Sequence, residues 1–112
     1  MTEQPHPSPD ALSKAIAAIE AEMRRIGLWD VAPISDEQRR TGGAFGTGSM
    51  SFGQWLRWVF VPRVHEVIEG TAEVPPASSV GAHAAREWGF SPTNFDTSRL
   101  ETLLAEFDAL FG

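Results

Sequence analysis

Residues 51–70, SFGQWLRWVFVPRVHEVIEG, carry apolar residues at helical spacing, and the rest of the chain is organised around them. Ser51 and Gln54 stand at the spacing of a capping box, in which each side chain binds a free backbone N–H of the other residue. Gly70 can take the left-handed conformation that commonly follows a helix end. We therefore predict one long helix here, and the apolar residues at helical spacing on its main face are Phe52, Trp55, Leu56, Val59, Phe60, Val67 and Ile68.

The apolar surface of this helix is wider than one face, because Trp58 and Val61 lie outside that face. Such a helix is either buried on most sides or exposes part of its surface to a partner. We expect a central core helix; the alternative is that Trp58 and Arg57 belong to an interface, where Trp and Arg are enriched. Pro62 lacks the N–H of the helix ladder and predicts a kink, and a break into two helices near Phe60 is the alternative.

Three further amphipathic segments surround the long helix. The first covers about residues 9–26 and ends at Gly27, the second covers about residues 78–88 before Gly89, and the third begins at Asp96 or Ser98. The first and third have apolar positions three or four residues apart, which is helical spacing. These positions are Leu12, Ile16, Ile19, Met23 and Ile26 in the first segment, and Leu100, Leu103, Leu104, Phe107, Leu110 and Phe111 in the third.

These four segments predict an all-α protein, a small up-and-down four-helix bundle with a Pro-kinked second helix at its centre. Residues 1–9 contain Pro5, Pro7 and Pro9 and are expected to form a flexible N-terminal tail. Residues 10–112 are expected to form the single bundle domain. A chain of 112 residues is long enough to bury one hydrophobic core.

A connection without strong periodicity covers residues 28–50. Trp29 is expected to close one end of the bundle, and Ser35 to begin a single helical turn. The glycine-rich residues 42–49 do not fit a phosphate loop, because no strand is predicted before them and no lysine follows the last glycine. They lead into the N-terminus of the long helix, where backbone N–H groups could hold an anion. The alternative is a plain connection in which Phe45 and Met50 pack against the core.

Composition narrows the class of protein. Nine Lys and Arg residues against fifteen Asp and Glu residues give a net charge of −6, which disfavours nonspecific attraction to nucleic-acid phosphates. The chain has no cysteine, so disulfides, thiol chemistry and cysteine-based zinc sites are excluded. It has no apolar run near the length of a membrane span and no N-terminal signal pattern. We expect a soluble cytoplasmic protein.

Candidate catalytic and metal-binding residues are few. His65 and Glu69 lie one helical turn apart, which is compatible with one edge of a metal site, but two ligands do not make a site and a solvated surface is the simpler interpretation. Carboxylates two residues apart on a helix point in different directions, so we expect only surface charges from the pairs Glu20 with Glu22 and Glu106 with Asp108. No pattern ties a nucleophile to a base. We expect no enzymatic activity, no cofactor and no bound metal.

The run MSFGQWLRWVFVPR at residues 50–63 resembles the signature of the YqcC-like proteins, and LAEFDALF at residues 104–111 resembles their C-terminal helix. Members commonly carry an acidic residue shortly before the methionine that matches Met50, whereas this chain has Gly46, Thr47, Gly48 and Ser49 there. The resemblance implies a small helical bundle of no established activity. It also implies an association with tRNA pseudouridine synthase C, because the coding regions of the family often lie beside the one for that enzyme.

Three functions follow as hypotheses. The first is a non-enzymatic protein-interaction module, with tRNA pseudouridine synthase C as the partner that the resemblance implies, and its binding residues would be Phe45, Met50, Gln54, Arg57, Trp58 and Arg63. The second is a tRNA-handling accessory that binds RNA through a local arginine and aromatic patch, which the net charge of −6 disfavours. The third is a small-ligand binder with a pocket between the long helix and the glycine-rich residues. The sequence leaves homo-oligomerisation open.

Overall fold

The computed structural model describes residues 7–41, 50–90 and 95–111, and all regular secondary structure in these ranges is helical. The all-α prediction is therefore confirmed. The helices are α1 (Pro9–Arg25), α2 (Asp36–Thr41), α3 (residues 52–69), α4 (Val80–Phe90) and α5 (Ser98–Ala109), with a 3₁₀ turn at Leu28–Asp30. Residues 1–6 of the predicted tail, and Phe45 with the whole glycine-rich stretch, lie outside the described residues.

Helix α1 begins and ends as its sequence predicts. The Ser8 hydroxyl accepts a hydrogen bond from the Ala11 N–H at 3.1 Å, and Pro9 takes the first helical position, where its missing N–H costs nothing. Gly27 has φ = +86° and ends the helical path. The predicted apolar seam is buried throughout α1, at Leu12, Ile16, Ile19 and Met23.

Helix α3 is continuous across Pro62. The Ser51 and Gln54 side chains each bind the other residue's backbone N–H at 3.0 Å, so the predicted capping box is present, and Gly70 ends the helix at φ = +82°. The segment Leu56–Phe60 forms a π-helical turn, in which the Val61 N–H bonds to the Leu56 carbonyl five residues earlier. This wider turn directly precedes the proline, where a regular ladder would lose a bond, and the helix does not divide in two near residue 60.

The core is built from aromatic side chains of α3 that reach the other helices. The ring centroids of Trp55 and Phe60 lie 5.7 Å apart, and those of Phe60 and Phe107 lie 5.1 Å apart. At the N-terminal end of α3, the Phe52 ring meets the Trp88 ring of α4 edge-on at 5.2 Å. Helix α1 packs against both α5 and the second half of α3, and α4 packs against α5. The core therefore joins all four long helices.

Two carboxylates that we expected to be surface charges are structural, so that prediction is wrong for both. Asp108 of α5 accepts hydrogen bonds from the backbone N–H groups of Val80 at 2.9 Å and Gly81 at 2.7 Å, and thereby satisfies the free N-terminus of α4. Glu22 is only 5% exposed and is held by the Arg25 guanidinium, with Nε at 2.8 Å from Oε1. The sequence spacing alone could not show that α4 approaches Asp108.

Helix ends in the second half of the chain differ from the prediction. Helix α4 continues through Gly89, which has no left-handed φ, and runs to Phe90. The N-cap of α5 is Thr97 rather than Asp96 or Ser98, and the Thr97 hydroxyl donates to Glu101 at 2.8 Å. Asp96 instead accepts from the Ser98 hydroxyl at 2.7 Å. The turn expected at residue 35 extends into the six-residue α2.

Candidate functional site

Three of the predicted binding residues donate hydrogen bonds to the backbone of the segment that follows α1. Gln54 Nε2 donates to the Ala32 carbonyl at 3.1 Å, Arg57 Nε donates to the Trp29 carbonyl at 3.1 Å, and Trp58 Nε1 donates to the Val31 carbonyl at 3.2 Å. Residues 54, 57 and 58 are three or four positions apart on α3 and so share one side of the helix. These bonds satisfy backbone carbonyls that have no helical partner.

Arginine and tryptophan side chains alternate on the same side of the molecule. The Arg57 Cζ lies 3.8 Å from the Trp29 ring centroid and 4.2 Å from the Trp58 ring centroid, so the guanidinium is placed between two indoles. Arg24 Cζ lies 4.4 Å from the Trp29 centroid. All three distances are within the range of a cation–π interaction. We call these four residues, Arg24, Trp29, Arg57 and Trp58, the Arg–Trp ladder.

The end of α1 brings Trp29 to α3. The left-handed Gly27 turns the chain, and the 3₁₀ turn buries Leu28 to 2% exposure. A Cβ on Gly53 would lie 2.8 Å from Leu28 Cδ1, so the glycine provides the space in which Leu28 packs. With Leu28 fixed, the next side chain, Trp29, meets Arg57. The contacts of Trp29 with Arg24 and Arg57 could not be predicted, because their local signal is just a tryptophan two residues after a helix-ending glycine.

The remaining predicted binding residues are separated from the ladder or cannot be placed. Met50 is half-buried beside the N-terminus of α3 and packs against the core. Arg63 is exposed and borders a groove on the opposite half of α3. Phe45 lies outside the described residues, as does the glycine-rich stretch proposed to hold an anion or to act as a plain connection. The structure thus brings together Gln54, Arg57 and Trp58.

The groove beside Arg63 has a volume of about 360 Å³. Its walls come from α1, α3, α5, the linker at residues 72–79 and the first residue of α4, and its apolar lining includes Trp55, Phe60 and Phe107. Three charged residues, Arg63, Glu66 and Glu73, also line it. We expected a ligand pocket between α3 and the glycine-rich residues; α3 does form one wall of this groove, but the glycine-rich residues lie outside the described residues and the other walls come from elsewhere in the chain.

His65 pairs with a residue of another helix. Its Nε2 lies 2.6 Å from Glu20 Oε2, and this contact joins α3 to α1. The other Glu20 oxygen lies 3.7 Å from Arg24 Nη2. Within the described ranges, no group of three or more His, Cys, Asp or Glu side chains is arranged to hold a metal ion. The contact between His65 and Glu20 thus links α3 to α1 next to Arg24 of the ladder.

The pKa values of Glu22 and Asp96 are both lowered, and each shift has a local cause. The hydrogen bond from Arg25 lowers the pKa of Glu22, against the opposing effect of burial. Hydrogen bonds from the Ser98 side chain and backbone lower the pKa of Asp96. Both groups stabilise helix ends or neighbouring turns, and neither touches the groove or the ladder residues through a hydrogen bond in the described ranges.

The fold and the site are those of a small all-helical domain with a surface ladder of arginine and tryptophan. No helix in the described residues is long and apolar enough to cross a membrane. The sequence profile of the family described as tRNA pseudouridine synthase C matches residues 11–110, and the chain belongs to this family. No solved structure matches the chain.

Individual relatives agree with the resemblance seen in residues 50–63. The uncharacterized protein YqcC of Escherichia coli is 24% identical over 103 residues, which cover 92% of this chain and 93% of that protein. A protein of Pectobacterium carotovorum named tRNA pseudouridine synthase C is 32% identical over 57 residues, and an uncharacterized protein of Haemophilus influenzae is 30% identical over 57 residues. These matches span 51% of this chain, 15% of the Pectobacterium protein and 54% of the Haemophilus protein.

Proposed function

We propose that this chain is a non-enzymatic protein-interaction module that serves as an accessory partner of a tRNA pseudouridine synthase. The Pectobacterium relative carries the proposal, because a segment similar to 57 residues of this chain forms 15% of a longer protein with that name. Two units within one chain meet at a high effective concentration, so even a weak contact between them is populated. A domain that makes such a contact needs a binding surface of its own.

The surface that we assign to this role is centred on Arg57 and Trp58. Both side chains are half-buried, and both are held in place by hydrogen bonds to the segment after α1. A side chain that is already ordered loses little conformational entropy on binding, which favours affinity. Tryptophan and arginine are also the residues on which binding energy concentrates in protein interfaces.

Two of the less exposed carboxylates are engaged in contacts within the protein, which supports a non-enzymatic role. Asp108 caps α4, and Glu22 is engaged by Arg25. A general acid or base has to reach the reacting group of a substrate. These two groups are instead occupied by bonds within the protein. We also infer that the four long helices form an up-and-down bundle with α3 bent at Pro62, which the preceding π-helical turn supports.

Sedimentation velocity tests the proposal. The purified protein is measured alone, mixed with tRNA pseudouridine synthase C from the same source, and mixed with the synthase and tRNA. We expect a faster-sedimenting complex with the synthase alone. A complex that requires tRNA would favour the RNA-handling accessory instead. Sedimentation of the two proteins as separate species in every mixture would contradict both roles.

The groove of about 360 Å³ favours a second candidate, a small-ligand binder. Its volume and its largely apolar lining are typical of known ligand pockets. Ala72 lines the groove, and Ala72→Trp would fill part of it. If the groove binds apolar ligands, the protein should enhance the fluorescence of anilinonaphthalene sulfonate, and this variant should abolish the enhancement. Equal dye binding by the variant and the original chain would place the dye elsewhere and refute this candidate.

A further inference from the structure

The Arg57 guanidinium is only partly used by the fold. Its Nε–H is bonded to the Trp29 carbonyl, and its faces are covered by the indoles of Trp29 and Trp58. Arginine has five N–H donors, and four of them lie on the two Nη atoms. Among the described residues, no hydrogen-bond acceptor or carboxylate is placed on those Nη atoms. The outer end of Arg57 therefore offers ordered donors from a half-buried position.

Of the other ladder residues, Trp58 has no hydrogen-bond donor left for a partner, whereas Arg24 offers a second positively charged group with hydrogen-bond donors. The Trp58 Nε1–H is already bonded to the Val31 carbonyl, so this indole has no further donor. Arg24 adds a second guanidinium, whose side chain is 59% exposed and whose carboxylate contact in the described residues is Glu20 at 3.7 Å. The ladder groups that remain accessible to a partner are thus positively charged and donate hydrogen bonds. Its complement has to be an anion with several acceptor oxygens.

A protein carboxylate fits this surface better than the backbone of RNA. Binding to RNA without sequence specificity uses several phosphate contacts together with aromatic rings on which bases stack. The ladder provides two arginines, and the indole of Trp29 is covered by both of them. One or two carboxylates on a partner surface avoid these difficulties.

We propose that the Arg–Trp ladder binds an acidic side chain of a partner protein, with the carboxylate end-on against the Nη atoms of Arg57 and beside Arg24. This inference rests on the proposed function only in taking the partner to be a protein. The ordered guanidinium provides direction and the exposed Arg24 provides additional charge. The aromatic rings exclude water from the contact, which strengthens charge-assisted hydrogen bonds.

Two probes of defined chemistry test the inference on the whole chain. Hexaglutamate and hexauridylate are titrated into ¹⁵N-labelled protein, and the indole N–H signals of Trp29 and Trp58 are followed by NMR. Hexaglutamate should shift both signals in a saturable way, and hexauridylate should leave them unchanged. Arg24→Gln should weaken hexaglutamate binding about tenfold, the equivalent of one charge-assisted hydrogen bond. Arg86→Gln, an equal charge change at an exposed position of α4, should have no effect.

The variants separate folding from binding. Arg57→Lys keeps the charge but loses the planar fork, and we expect it to lose the hexaglutamate shifts. Because Arg57 also holds the Trp29 carbonyl, this variant could disturb the fold, whereas Arg24 has no hydrogen bond to that segment in the described residues. Absence of shifts with hexaglutamate, shifts with hexauridylate alone, or equal binding by the Arg24→Gln variant would each overturn the inference.

The same variants, measured with the synthase, distinguish the two proposals. If the synthase binds the original chain and the Arg24→Gln variant equally, and hexaglutamate causes no shift, the interaction module stands and the carboxylate inference fails. If hexaglutamate binds at the ladder and the synthase does not bind, the inference stands and the identity of the partner is wrong. A loss of synthase affinity in Arg24→Gln but not in Arg86→Gln would support both.

Discussion

Gly81 marks the closest approach between two helices. A Cβ built at this position would lie 2.6 Å from the Cα and N atoms of Ala105 and 2.8 Å from the carbonyl carbon of Leu104. All three atoms belong to the backbone of α5, so they cannot rotate out of the way. Because favourable contacts between carbon atoms begin near 3.5 Å, Gly81→Ala would have to separate α4 from α5 by about 1 Å.

The expected cost follows from this separation. Overpacking of a well-filled interior typically costs about 1–3 kcal/mol. The shift would also lengthen the hydrogen bond from the Gly81 N–H to Asp108, now 2.7 Å, and so weaken the cap of α4. Intrinsic helix propensity works in the opposite direction, because alanine is favoured over glycine by up to about 1 kcal/mol. We therefore expect Gly81→Ala to lower the free energy of unfolding by about 1–2 kcal/mol.

Gly89 on the same helix provides the matched control. No atom of the described residues lies within 4 Å of a Cβ built there, and its φ is not in the left-handed region. Gly89→Ala should therefore raise the free energy of unfolding by about 0.5 kcal/mol through helix propensity alone. Urea denaturation followed by circular dichroism measures both variants. A Gly81→Ala variant that is as stable as the original chain, or more stable, would refute the backbone contact between α4 and α5.

A second variant tests which atoms cause the effect. The three atoms nearest to a Cβ built at Gly81 are backbone atoms of α5, and two of them belong to Ala105. Ala105→Gly should therefore not rescue Gly81→Ala, and the coupling energy of the double-mutant cycle should be close to zero. A strong rescue would show that the side chain of Ala105, and not its backbone, limits the approach of the helices.

Three further predictions concern the core, a helix cap and the pH dependence of stability. Trp55→Ala should cost about 3–5 kcal/mol, because the indole is only 6% exposed and stacks between Phe52 and Phe60; a small shift in the thermal melt would refute its place in the core. Asp108→Ala should cost about 1–2 kcal/mol in denaturant melts by leaving the N-terminus of α4 uncapped, and melts unchanged by this variant would contradict that role. The pKa of Glu22 is lowered by its hydrogen bond from Arg25, so its stabilising effect should be present above the ordinary value of 4.5 and lost as the pH falls through the lower folded value. The stability difference between the original chain and Glu22→Gln should therefore be larger at pH 7 than in strong acid, and a difference independent of pH would contradict the pairing.

Elements whose signals are local could be predicted from the sequence. The capping box at Ser51 and Gln54 and the left-handed Gly70 determine α3 through contacts within a few residues, so their spacing was sufficient. The buried seam of α1 was predictable for the same reason, since its period depends only on helix geometry. The prediction that Gly89 ends α4 was wrong, because a glycine is also tolerated inside a helix when neighbouring contacts favour continuation.

Features that depend on contacts distant in sequence could not be predicted. The acceptor role of Asp108 depends on α4 arriving beside the end of α5, 27 residues from Gly81 along the chain. The Arg–Trp ladder likewise requires the end of α1 to lie beside α3, where Arg57 and Trp29 are separated by 28 residues. The side-chain chemistry of Gln54, Arg57 and Trp58 and their place on one helix predict a shared surface. The sequence did not show that their nitrogen donors would hold a neighbouring segment.

Residues of the ladder have a structural role as well as the proposed binding role, and the two roles are separable at Arg24 but not at Arg57 or Trp58. Arg57 and Trp58 hold the carbonyls of Trp29 and Val31, so replacing either residue changes the local structure together with any partner contact. Arg24 contributes its charge and lies over the Trp29 ring, but it makes no hydrogen bond to that segment in the described residues. A loss of binding in an Arg57 variant is therefore ambiguous by itself, whereas a loss of binding in Arg24→Gln with an unchanged melt assigns the effect to the surface.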